Sequence, residues 1–181
     1  MKFFKKSETI DLPVAMSGVK LGDRLLVIGC SDPSLIARLA LKVGLTGRAC
    51  AVDESPERVA QAARLVEREG ALIESAETRG STVPYDAEAF DLVVLRDSAP
   101  PAEDARGRSA REALRVLRPG GRCLIVDGAA RGGLLWRASP GHAGNTSGAA
   151  VNALSAAGFA AVRALAERDG LTFVEGVKKN A

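Results

Sequence analysis

Two groups of polar residues stand where apolar runs end, and both are of types that can hold a ligand. Arg24 to Ile28 is a short apolar run closed by Gly29, and Cys30-Ser31-Asp32-Pro33 completes a tight turn. A glycine there lets the backbone pass close beneath a bound molecule, while Asp32 before Pro33 is the signature of a helix start. Asp53 lies 24 residues after Gly29 and ends a second apolar run, Arg48 to Val52. A carboxylate at a strand tip can accept hydrogen bonds from both hydroxyls of a sugar. The competing readings are a turn glycine with nothing above it and a solvated loop carboxylate.

Further candidates lie later in the chain. His142 is the only histidine and falls in a stretch, Gly132 to Gly148, rich in Gly, Ser and Ala. Its intrinsic pKa suits a general base, and the alternative is an exposed loop histidine. Asp97, at the end of the run Asp91 to Leu95, is a second candidate base, or it bonds the backbone of its own turn. Tyr85 and Trp136, each the only residue of its type, can stack on a flat acceptor or fill the core. Cys30, Cys50 and Cys123 show no C-x-x-C or Cys/His spacing, so reduced, buried thiols are expected and no metal site.

The elements that must position these residues emerge from periodicity and punctuation. Leu35, Ile36, Leu39, Ala40 and Val43 recur at helical spacing after Pro33, and Gly44 stops the run. Ser55-Pro56 repeats the start for a helix to about Glu69. Strands are expected at Ala71 to Ser75, more weakly, and at Asp91 to Leu95 and Arg122 to Val126, with a helix from about Glu103 to Leu117. Ser147 caps a helix carrying Val151 and Leu154. Asp169-Gly170 sits between the β-prone runs Ala160 to Ala166 and Leu171 to Val177, which signals a hairpin. Strands alternating with helices indicate a parallel sheet. The fold class expected is α/β: a Rossmann-like, doubly wound, mostly parallel seven-stranded sheet with an antiparallel terminal hairpin. Residues 1–19 read as an arm and 20–181 as one domain.

Charge excludes some partners. Lys and Arg number 25 against 22 Asp and Glu, a net of +3, and the signs alternate along the helices, so nucleic acid is not an expected partner. The opening Met-Lys-Phe-Phe-Lys-Lys is basic, but Asp11 and Pro13 break the apolar stretch after it. Nothing approaches the roughly 20 apolar residues of a membrane span, and a cytoplasmic protein is expected.

The order of these signals resembles the class I S-adenosylmethionine-dependent methyltransferases, and within them the small-molecule group called type 11. The resembling segments are Leu25-Leu-Val-Ile-Gly-Cys-Ser-Asp32, Ala51-Val-Asp-Glu-Ser55, Val83-Pro-Tyr-Asp-Ala-Glu-Ala-Phe-Asp-Leu-Val-Val94 and Leu117-Arg-Pro-Gly-Gly-Arg122, covering about residues 20 to 128. The resemblance implies S-adenosylmethionine as cofactor and a small-molecule acceptor, with a homodimer left open. It implies ligand contacts from Gly29, Cys30, Ser31 and Asp32, ribose bonds to Asp53, and an adenine edge near Glu54, Ala76 and Glu77.

The chain departs from the family's glycine pattern. An acid is usual two positions before the first glycine, with further glycines two and four positions after it; Val27, Ser31 and Pro33 stand there instead. Asp32 is a candidate to meet the ligand's ammonium in place of the missing acid, and an ordinary helix cap is the alternative. Two other function classes are compatible with these features. One is a non-catalytic relative acting as a binding or assembly subunit; the other is a nicotinamide-dependent oxidoreductase, which shares Gly29 and Asp53 but needs a glycine at position 31.

Overall fold

The computed structural model describes residues 11–79, 82–96, 103–128 and 146–180. In chain order these form α1 (Leu12–Ser17), β1 (Arg24–Ile28), α2 (Pro33–Val43), β2 (Arg48–Asp53), α3 (Pro56–Arg68), β3 (Glu74–Glu77), β4 (Phe90–Arg96), α4 (Glu103–Val116), β5 (Leu117–Gly128), α5 (Thr146–Ala157), β6 (Ala160–Arg168) and β7 (Leu171–Val177). The sheet order is β3-β2-β1-β4-β5-β7-β6. The first five strands are parallel, β7 runs antiparallel to β5, and β6 runs antiparallel to β7. The chain winds outward from β1 to β3 and then returns to β4. The gap between the ends of β1 and β4 is therefore the switch point at which open α/β sheets bind ligands.

Strand alternation divides the interior in two. Leu25, Val27, Ala49, Ala51, Leu92, Val94, Leu124 and Val126 face α2 and α3, meeting Leu35, Leu39, Val43, Val59 and Val66. Leu26, Cys50, Val52, Val93, Leu95, Cys123 and Ile125 face α4 and α5, meeting Ala110, Ala113, Ala150 and Leu154. The terminal hairpin turns on Asp169 and Gly170, both at positive φ (55° and 81°), the pair of conformations a two-residue hairpin requires.

The structure corrects several expected bounds. Ala71 is not in a strand: its N–H bonds Val66 O at the end of α3, so β3 begins only at Glu74. The Arg118-Pro119-Gly120-Gly121 segment, left between the expected helix and the expected strand from Arg122, is a bulge within the fifth strand. Phe90 pairs with Leu117 and Leu92 with Arg122, while Gly120 N and Gly121 O bond Lys178. Helix α5 starts at Thr146, which puts Ser147 inside its first turn rather than before it. Helix α1 was not foreseen. Its six residues are held from outside, by an Asp11–Arg38 ion pair at one end and by the Arg122 guanidinium on Ser17 O and Gly18 O at the other. No helix among the described residues is long and apolar enough to cross a membrane.

Candidate functional site

The site is built on the carboxyl ends of β1, β2 and β4. Gly29 carries φ +98° and its N–H reaches Val52 O at 2.8 Å, so the chain leaves β1 while still bonded to β2. The next N–H, of Cys30, donates to Asp53 Oδ2 at 2.7 Å, and Ser55 N–H donates to Asp53 Oδ1 at 2.8 Å. The Asp53 carboxylate is thus held at the tip of β2 by the two turns that flank it, with its side chain 4% exposed.

A third donor group completes the arrangement. Arg58, in the first turn of α3, donates from Nε to both Asp53 oxygens at 3.0 Å and from Nη2 to Oδ1 at 2.6 Å. Burial pushes the Asp53 carboxyl up, but Arg58 and the N–H groups of Ser55 and Cys30 outweigh it and hold the acid below its ordinary range. Asp53 is ionised at neutral pH and takes donors from the side of the half-exposed arginine. Acceptor directions of the carboxylate are thus taken by the arginine N–H groups.

The first turn shows where the departures from the glycine pattern lead. Val27 is fully buried in the core, below the turn. Ser31 Oγ is turned toward β4, donating to Arg96 O at 3.2 Å. Asp32 does cap α2, its Oδ1 accepting from Leu35 N at 3.0 Å, while its Oδ2 faces the Arg96 guanidinium at 3.5 Å. Cys30 is packed in the core beside Asp53, and burial together with that carboxylate pushes its thiol up to about 12, which removes it as a nucleophile.

The remaining candidates divide. Glu54 is exposed just after Asp53. Ala76 and Glu77 do not follow the third strand, as expected, but end it, paired with Val52 and Asp53. Tyr85 packs edge-on against Phe90 at 5.1 Å with the Arg48 guanidinium over its ring, in the core below the strands. His142, Asp97 and Trp136 lie outside the described residues. Among the described residues no group of three or more His, Cys, Asp or Glu side chains could hold a metal.

Two arginines were missed. Arg58 is a cation in the first turn of a helix, where the dipole favours acids, and that misplacement was a readable signal. Arg96 ends an otherwise apolar strand at the switch point, which was a second. On the opposite face of the sheet, Asp127 at the end of β5 takes both Nη groups of Arg106 at 2.5 and 3.2 Å, and the pair is buried.

An open sheet with a glycine turn at its switch point and a buried acid at the tip of β2 defines a nucleoside-binding α/β protein. The sequence pattern of the methyltransferase domain matches residues 26–125, more than half of the chain. The chain belongs to that family, the type 11 group of S-adenosylmethionine-dependent methyltransferases. It is 34% identical over 121 residues to the 2-phytyl-1,4-beta-naphthoquinone methyltransferase, chloroplastic, of Arabidopsis thaliana, covering 65% of this chain and 46% of that protein. It is 29% identical over 116 residues to the ubiquinone/menaquinone biosynthesis C-methyltransferase UbiE of Pseudomonas putida, covering 63% and 45%. The chain therefore spans about half the length of the curated relatives it matches. Among solved structures, a SAM-dependent methyltransferase from Aquifex aeolicus aligns with TM-score 0.74 at 19% identity, covering 91% of this chain and 86% of that one. The [4+2]-cyclase SpnF aligns with TM-score 0.70 at 19% identity, covering 94% and 80%. These two likenesses concern the fold.

Proposed function

We propose that this chain transfers a methyl group from S-adenosylmethionine to a small-molecule acceptor, and that a quinone-type ring is the acceptor class to test first. The observation that carries the first part is Asp53, a buried, ionised carboxylate held at the tip of β2 beside the glycine turn. The acceptor class rests on the names of the two curated relatives, one a naphthoquinone methyltransferase and the other a C-methyltransferase of quinone biosynthesis.

Bound S-adenosylmethionine supplies a methyl group on a positively charged sulfur that is displaced in line by the acceptor atom. Alignment carries most of such a reaction, so the chain's own residues have mainly to hold and orient. Asp53 accepts from the ribose hydroxyls, and the turn at Gly29 and Cys30 brings backbone close beneath the ligand. Ser31, Asp32 and Arg96 border its amino-acid end. Glu54, Ala76 and Glu77 border the adenine. A base is needed only where the acceptor must lose a proton, and His142 and Asp97 are the residues we assign to that task.

The test is calorimetric titration with S-adenosylmethionine and S-adenosylhomocysteine, followed by assay of methyl transfer to demethylated naphthoquinols. Binding without transfer to any quinol moves the acceptor elsewhere. Absence of binding by folded protein favours a non-catalytic subunit that has kept the sheet but lost the cofactor, the reading to which Val27, Ser31 and Pro33 point.

A further inference from the structure

The first three strands are each entered by a loop at the amino end of the sheet, the end opposite the glycine turn and Asp53, and these loops carry leucines that the core does not use. Leu21 precedes β1, Leu45 precedes β2 and Leu72 precedes β3, while Leu41 lies in the last turn of α2. They are 71%, 81%, 73% and 49% exposed in that order, and they are the exposed large apolar side chains among the described residues. A lone surface leucine is ordinary. Gathering them all at one end of a sheet makes a patch of the kind that marks an interface.

The sheet order β3-β2-β1 sets the three loops in a row, about 10 Å long at the usual spacing of strands. Leu21 rests on the second loop, since a Cβ added at Gly44 would lie 2.6 Å from its Cδ1. The two ends of the row differ in charge. Before Leu72, the end of α3 presents Glu67 and Glu69 against Arg68, whose guanidinium is 3.9 Å from Glu69. Beside Leu21, Lys20 is exposed, and the nearby Asp23 carboxylate is turned back onto the Lys20 backbone N–H at 2.8 Å. A row with an acidic end and a basic end is complementary to itself when turned by half a revolution, which is what a two-fold interface requires. The leucines offer on the order of 400–500 Å² of apolar surface, over half of the roughly 800 Å² that one partner gives to a stable interface. A lipid surface fits the row less well, because the anionic leaflet would repel the acidic end.

We propose that the chain pairs with a second copy of itself through the amino ends of β1 to β3. Leu45 meets the partner's Leu45 on the two-fold axis, Leu72 meets the partner's Leu21, and Glu69 meets the partner's Lys20. The carboxyl ends of both sheets then face outward at opposite poles, so the pairing stands apart from the adenosyl-ligand reading.

The test is sedimentation equilibrium of the whole chain between about 1 and 100 μM, the range in which a micromolar dimer forms. The mass expected at the upper end is twice 18.8 kDa. Leu45→Lys sets two ammonium groups face to face on the axis and should raise the dimer Kd at least about fiftyfold. Leu72→Lys should raise it at least about tenfold. Both positions are exposed, so neither variant should change the circular dichroism spectrum. Glu69→Lys should weaken the dimer roughly three- to tenfold, because each dimer holds that contact twice, and adding Lys20→Glu to the same chain should restore it to within about twofold. Wild-type chain that remains monomeric at the upper concentration overturns the proposal. So does a dimer indifferent to both leucine variants, or one that the charge swap fails to restore. A monomeric chain that instead sediments with phosphatidylglycerol vesicles overturns it in favour of a lipid surface.

Discussion

Replacing Arg58 by glutamine should tighten the binding of adenosyl ligands. A carboxylate offers about four acceptor directions. The Asp53 oxygens give two to the N–H groups of Cys30 and Ser55 and the rest to Arg58, through contacts of 2.6 to 3.0 Å. Two ribose hydroxyls can be accommodated only if the arginine withdraws. Its side chain is 52% exposed, so the pair is screened and its rupture costs about 1 kcal/mol or less despite the buried partner. Removing that competitor is worth roughly a two- to fivefold fall in Kd for S-adenosylhomocysteine and for 5′-methylthioadenosine alike, since both carry the ribose. The fold should lose little, because a cation in the first turn of α3 opposes the helix dipole. Isothermal titration of Arg58→Gln beside wild type reads the change. A weaker Kd for both ligands would refute the reasoning and make Arg58 part of the ligand's own contacts.

Other consequences lie in the scaffold. Asp91, bonded by Arg24 and Arg118, has its pKa lowered from 3.8 to about 2: burial raises it, but the two arginines and the Arg24 N–H prevail. Its contribution is present above about pH 4 and lost as the pH falls toward 2, so the urea-unfolding free energy of Asp91→Asn should depend less on pH across that window than that of wild type, an effect on the order of 1–2 kcal/mol after screening of the half-exposed arginines. Gly128→Ala should destabilise by about 2–3 kcal/mol in urea, because φ is +90° and an added Cβ would lie 2.2 Å from Gly170 O. Full stability there would show that the hairpin can shift away from β5. All three cysteines are free and buried. Burial pushes each thiol up, with the Asp53 carboxylate adding to the rise at Cys30 and Tyr85 and Arg48 opposing it at Cys50. Iodoacetamide at pH 8 should therefore modify them rapidly only after denaturation, and fast modification of native protein would contradict the packing.

The fold was legible because punctuation and periodicity agree in this chain. Asp32-Pro33, Ser55-Pro56 and Asp169-Gly170 each mark a boundary that the apolar pattern marks independently. Where local signals are weak, reading failed. Leu12–Ser17 is too short to show a period and owes its helix to Arg38 and Arg122, residues remote in sequence. Glu74–Glu77 is polar and exposed, without a β-branched residue, and pairs only because β2 lies beside it. The Arg118 to Gly121 bulge joins β5 through Lys178, a contact no local pattern contains. At the site, Asp53 was legible since a strand-end acid is a local feature. Arg58 and Arg96 were not singled out because their partners are assembled by the fold: Arg58 reaches back to the tip of β2, and Arg96 binds the end of β5 and the turn after β1.

Titration of the wild-type chain and of Asp53→Asn and Asp53→Ala with S-adenosylhomocysteine tests the cofactor site most directly. Micromolar binding by wild type is predicted, falling at least about tenfold in both variants, with the alanine variant also losing about 1–3 kcal/mol of stability because the buried Cys30 N–H is left without its acceptor. Wild-type protein that is fully folded yet binds no adenosyl ligand, or variants that bind as well as wild type, would contradict the assignment of Asp53 and of the cleft it anchors.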